Sequence, residues 1–129
     1  MFKLIITIKK KKGMTLEQFM HHYDKVHIPL CQKIMPVPLH LHRRNYILTD
    51  HPFYGYVGDN RAEASHEPAF DVITEAFYED EAAARASMDA LFDQVIGPQV
   101  MEDEKNFCEP GGVNFYVVEV HQSAIPWGA

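Results

Sequence analysis

Cysteine is scarce in this chain. Cys31 and Cys108 stand far apart, in neither CxxC nor metal-ligand spacing, so a disulfide framework is excluded and reduced thiols are expected, as in the cytoplasm. Positive charge is also short. Twelve Lys and Arg against 18 Asp and Glu leave a formal charge of −6, which argues against nucleic acid or an anionic membrane as partner. No apolar run approaches the roughly 18 residues that span a bilayer. No secretory leader is visible, which again points to the cytoplasm. The familiar signatures of cofactor and metal chemistry are missing: glycine-rich nucleotide loop, P-loop, GxSxG elbow, HExxH and carboxylate triad. No cofactor and no metal is therefore expected. Histidines are plentiful, but His21 and His22 diverge around a helix. His40 and His42 share a strand face and would need further ligands from elsewhere. Haem would find only His27.

The 129 residues suit one domain, 1–129, in the order β-α-β-β-α-β. Strands are expected over 2–8, 39–48, 70–78 and 113–121. Thr15 and Gln18 form a capping box for a helix over 16–34, bent at Pro29 and stopped by the prolines of 35–38. A second helix starts near Asp80 behind an acidic cluster and ends or kinks at Gly97–Pro98. A short acidic piece then reaches Phe107, and Pro110–Gly112 reads as a turn. The loop 49–69 is long and aperiodic, and its Phe53, Tyr54 and Tyr56 suggest packing on the domain or a partner. The tail 122–129 carries Ile125 and Trp127, which would dock on a neighbouring surface.

This order is the ferredoxin-like α+β arrangement, a four-stranded antiparallel sheet with helices on one side. Strands 2–8 and 113–120 are apolar on both faces, yet two helices cover only one. A homodimer through sheet-to-sheet packing is the expected cover.

The richest stretch is FMHHYDKVHIPL, Phe19–Leu30. At helical spacing Phe19, Tyr23, Val26, His27 and Leu30 share a face, while His21, Asp24 and Lys25 turn away. That face is apolar and aromatic with one imidazole set in it, beside a proline that removes a helix hydrogen bond. His27 is either a packed core histidine or a base that takes and returns protons near neutrality, with Tyr23 to orient it. On strand 39–48, Arg43, Arg44 and Tyr46 are candidates to line a pocket, and so is Glu75 on strand 70–78. An arginine there suits a substrate carboxylate, and an exposed ion pair is the plain alternative. Asp103 and Glu104 near Phe107 read more simply as a helix end packed on the sheet.

FMHHYDKVHIPL resembles the signature of the EthD-like family: Phe, an aromatic residue four positions on, then His-x-Pro-Leu. KLIITIKKKKGMTLEQF resembles that family's opening strand and helix entry, FDVITEAFYED its third strand, and EDEKNF its late acidic-aromatic motif. Tyr23 stands where the family usually has tryptophan. The resemblance implies a dimeric α+β barrel of ferredoxin-like subunits, with a pocket between sheet and helices. It implies a cofactor-independent enzyme on a small hydrophobic or aromatic molecule, either a monooxygenase-like oxidoreductase or a decarboxylase-type lyase. His27 and Tyr23 would be catalytic, and Phe19, Leu30, Arg43, Arg44, Tyr46, Glu75 and Phe107 would bind substrate. The alternative is a non-catalytic binding or accessory protein of a degradation or biosynthesis pathway.

Overall fold

β-branched and apolar residues alternate along Phe2–Lys10, which forms β1 in the computed structural model. The structure describes residues 1–57, 60–61 and 67–124. Gly13, in the left-handed region, turns the chain into α1, Leu16–His22. Thr15 Oγ1 accepts the Gln18 backbone N–H at 3.1 Å and Gln18 Oε1 accepts that of Thr15 at 3.0 Å, so two otherwise orphan donors are satisfied.

The bend expected at Pro29 takes another form. Residues Tyr23–His27 make a π-helical turn in which the Ile28 N–H donates to the Tyr23 carbonyl. Pro29 falls in the first turn of α2, Ile28–Ile34, where a missing N–H costs little. The wider turn shifts the inward stripe. Phe19, Tyr23 and His27 are buried, whereas Val26 is exposed. Beyond the turn, Ile28, Cys31 and Met35 face inward in place of Leu30. Asp24 does not turn away either: its carboxylate meets Arg44 and Tyr46.

Strands β2 (Leu41–Tyr46), β5 (Val72–Tyr78) and β6 (Cys108–Val117) join β1 in one antiparallel sheet, ordered β2-β5-β1-β6. A two-residue ribbon, β3 (Tyr56–Val57) with β4 (Asn60–Arg61), lies inside the long loop. The second helix is in fact two, α3 (Glu81–Leu91) and α4 (Ile96–Glu104). Gly97 and Pro98 begin α4 rather than end its predecessor. A Cβ on Gly97 would lie 2.5 Å from the Leu91 carbonyl oxygen, so the close return of the chain requires glycine there. Pro110–Gly112 is no turn. It lies within β6, where the register with β1 slips between Ile8 and Lys10 and Gly111 takes φ 71°. Ile125 and Trp127 lie outside the described residues. Among the described residues, no helix is long and apolar enough to cross a membrane.

The expected dimeric barrel is not formed. The sheet stays open, with β2 and β6 as its edges and the helices on one face. The reason lies in the outer face. The alternation of β1 counted Ile5 as needing cover, but polar side chains are interleaved around it. Lys3 Nζ lies 2.8 Å from Glu75 Oε1, Arg43 Nε 2.8 Å from Glu75 Oε2, and Asn45 Nδ2 3.0 Å from the same oxygen. These bonds hold the Glu75 carboxyl down at about 2, chiefly through Arg43, then Lys3 and Asn45. A face crossed by such a network can meet water, so the two-sided apolar pattern overstated the need for a second sheet.

On the inner face the core divides. One cluster gathers Ile8, Phe19, Tyr23, Val72, Phe107 and Cys108, and the other Leu4, Ala76, Tyr78 and Ala84. Ile6 touches both.

Candidate active site

Between the two clusters a cavity of about 730 Å³ opens under α2, within the range of small-molecule sites. Its existence follows from side-chain size. Ala76 sits at the centre of the inner face, paired in register with Leu4 on one side and His42 on the other. A methyl group there leaves space beneath the helices. Ile6, Met35, Val37, Met88 and Phe115 make the apolar walls, and Tyr23, His27, Cys31, His42, Arg44 and Glu104 the polar end.

His27 reaches this end because the π-helical turn places it one step below Tyr23. Its Nδ1 lies 2.8 Å from Asp103 Oδ2. The other oxygen of Asp103 receives His22 Nε2 at 3.0 Å, and Asn106 Nδ2 donates to the same oxygen at 3.2 Å. Burial pushes the Asp103 carboxyl up, but the bonds from His27, His22 and Asn106 outweigh it and the net shift is downward. An ionised carboxylate only accepts, so His27 carries its proton on Nδ1 and its Nε2 is a bare lone pair. Burial lowers the His27 pKa, and the Asp103 hydrogen bond opposes that without cancelling it. The ring is therefore neutral at pH 7. Cys31 Sγ lies 3.5 Å from Nε2. Burial holds the thiol up at about 11, so it is a weak donor to that lone pair and not a thiolate. Phe107 packs against His27 at 4.8 Å between ring centres and against His22 at 4.9 Å.

On the opposite wall, Arg44 Nε donates to Asp24 Oδ1 at 2.7 Å, and its Nη1 lies 2.8 Å from His42 Nδ1. Burial, then the Arg44 charge, bring the His42 pKa down to about 4. The Arg44 guanidinium also stands 5.8 Å over the Tyr23 ring. Tyr46 donates its hydroxyl to Asp24 at 2.6 Å.

The expected site residues thus separate. Tyr23, His27, Arg44 and Phe107 line the cavity. Tyr23 offers its ring only: its hydroxyl bonds Thr74 Oγ1 at 2.8 Å and burial pushes its pKa well up. Phe19 is fully buried in the core behind the cavity, and Tyr46 packs against that core while holding Asp24. Leu30 turns to a shallow hollow on the far side, with Pro98 and Glu102. Arg43 and Glu75 pair with each other on the outer face of the sheet, because a strand alternates its side chains and Arg44 takes the inward position. Three residues outside the expected site join it: Asp103, His42 and Cys31. Asp103 was signalled only by the EDEKNF motif. His42 was signalled by sharing a strand face with Arg44 and Tyr46. Among the described residues, no group of three or more His, Cys, Asp and Glu is placed to hold a metal ion.

Comparison with curated proteins gives no match. Among solved structures, the chain is similar to an ethyl tert-butyl ether D (EthD) family protein of Bacillus halodurans, at 18% identity over 94% of this chain and 100% of that one, with TM-score 0.56. That likeness speaks for the fold. The model of the EthD domain matches residues 11–111, a span that takes in the capped first helix, the π-helical turn with His27, most of the cavity lining and Asp103. With most of its length matched in this way, the chain belongs to the EthD family.

Proposed function

We propose that this chain is an enzyme that moves a proton on a small, largely apolar molecule, aromatic or polyketide-like, bound in the cavity, with His27 as general acid and base. One observation carries this. The Asp103 carboxylate fixes the His27 proton on Nδ1 at 2.8 Å and leaves Nε2 an acceptor, met only by the weak Cys31 thiol donor, at the polar end of an otherwise apolar cavity. Asp103 also stabilises the imidazolium that forms when Nε2 takes a proton. Arg44 lies at the same end and suits an anionic substituent. Tyr23 and Phe107 supply aromatic walls.

Proton transfer of this kind is worth about 10²–10⁴ in rate and needs no cofactor. Removal of a proton from an electron-rich ring precedes its oxidation by dioxygen. Delivery of a proton to a carbanion follows loss of carbon dioxide. Oxidoreductase and lyase outcomes therefore share the same group. Every residue used comes from one chain, and the free thiols of Cys31 and Cys108 fit a reducing compartment such as the cytoplasm. The test is product analysis on a panel of aromatic acids, phenols and ethers, followed by His27→Gln on whichever is turned over. Turnover should fall about 10²–10⁴-fold in a folded chain. A folded variant with undiminished turnover would refute the role and leave the cavity a binding site.

A further inference from the structure

We propose that His42 is a second catalytic residue, whose Nε2–H donates a hydrogen bond to a substrate oxygen while His27 moves the proton, and that the substrate class is a compound with an ionisable C–H beside a carbonyl. This rests on the His27 reading and extends it to the opposite wall. Arg44 Nη1 lies 2.8 Å from His42 Nδ1, and a guanidinium has donors only. Nδ1 must therefore be the acceptor, and the neutral ring carries its proton on Nε2. Among the described residues nothing hydrogen-bonds that Nε2, while His42 lines the cavity.

His27 is held in the opposite tautomer by Asp103. The two rings flank Tyr23, at 6.0 Å and 6.3 Å between centres. One cavity thus presents a lone pair from one imidazole and a proton from another, each fixed by a charged partner outside the ring. The groups facing His42 are Arg44, His27 and Asp24. Burial and the Arg44 charge keep it neutral. A neutral imidazole stabilises a developing oxyanion by hydrogen bonding without giving up its proton.

The step balances. His27 Nε2 takes the proton from carbon, and the C–H electron pair forms a double bond to the carbonyl carbon. The carbonyl π pair moves to oxygen, which accepts a hydrogen bond from His42 Nε2–H. The His27 imidazolium then returns the proton to the same carbon or to another atom of the conjugated system. No electrons leave the substrate.

The first test is ¹⁵N NMR of the histidine side chains in the full chain at pH 7. His42 should show Nε2 protonated and Nδ1 bare, and His27 the reverse. His42 found with Nδ1 protonated, or as imidazolium, overturns the inference and leaves the His27 reading standing. His27 found with Nε2 protonated overturns that reading instead. The second test uses 2-naphthol as an enolate mimic. Its binding should move the His42 Nε2–H resonance. His42→Phe should weaken binding about tenfold, the loss of one hydrogen bond to the naphthol oxygen. His42→Gln keeps an N–H donor and should recover part of it. Equal affinity in wild type and a folded His42→Phe chain overturns the inference, and so does failure of the wild type to bind the naphthol. If His42→Phe does not fold, the tautomer measured on the natural chain decides.

Discussion

Asp103→Asn removes the charge that organises the site while keeping its size. Asp103 is 12% exposed and accepts from His27, 9% exposed, and from His22, 20% exposed. An amide offers one acceptor oxygen and one NH₂, so it can accept from only one of the two imidazoles. The other must lose its partner or shift its own proton to accept. Hydrogen bonds to a charged group are worth about 1.5–3 kcal/mol each, and the substitution forfeits roughly one of them. Urea unfolding at pH 7, followed by far-UV circular dichroism, should show a midpoint lower by about 1 M, given an m-value of about 1–3 kcal/mol/M. The acid limb should change as well. The Asp103 carboxyl is depressed in the native state, so its contribution is present above the ordinary carboxylate range and lost as pH falls through the native value. The variant lacks that limb. If the amide NH₂ faces His27, the His27 proton is driven to Nε2 and the base is lost, so turnover should fall with stability. An unchanged urea midpoint together with the natural His27 tautomer would refute the assignment of Asp103.

Three further outcomes follow from the geometry. His27 and His42 both have native pKa values below the ordinary 6.5, so the unfolded chain takes up protons that the native one refuses. Stability should fall as pH drops below about 6.5, reaching about 1–3 kcal/mol for His42 by pH about 4, read by urea unfolding across that range; a flat profile would count against both burials. Ala76→Phe should fill the cavity from its floor, abolishing 2-naphthol binding in calorimetry while costing about 1–3 kcal/mol of stability; retained binding would mean that ligands sit elsewhere. Glu75→Gln should cost about 1–2 kcal/mol through the outer-face network and leave turnover unchanged, and a marked drop in turnover would return Glu75 to the substrate-binding residues.

The helix carrying the site was legible because its cap, its aromatic stripe and its histidine all repeat at local spacing. Thr15, Phe19, Tyr23 and His27 sit as that spacing requires. The stripe failed on either side of His27, where the π-helical turn adds a residue to one turn and sends Val26 and then Leu30 away from the cavity. No propensity scale registers that insertion. The division of Arg43 from Arg44 follows from strand alternation, but which of them faces inward is a matter of register. The pairing of His42 with Ala76 and of Arg43 with Glu75 fixes it, and these partners lie more than 30 residues away in sequence. Asp103 meets His27 from a different helix, so its role depends on tertiary packing of α4. The sheet-to-sheet dimer was inferred from counting apolar positions, and the barrel followed from the family resemblance. The count missed that Lys3, Arg43, Asn45 and Glu75 satisfy one another on the same face.

The proton transfer proposed for His27 is tested most directly by deuterium exchange into 2-tetralone, a bicyclic ketone with acidic hydrogens beside its carbonyl. The ketone is incubated in D₂O with the natural chain, with His27→Gln and with buffer alone, and the exchange is followed by proton NMR. The natural chain should exceed the His27→Gln variant by about 10²–10⁴-fold per bound ketone. Equal exchange rates for the two folded proteins would contradict a role for His27 as the base.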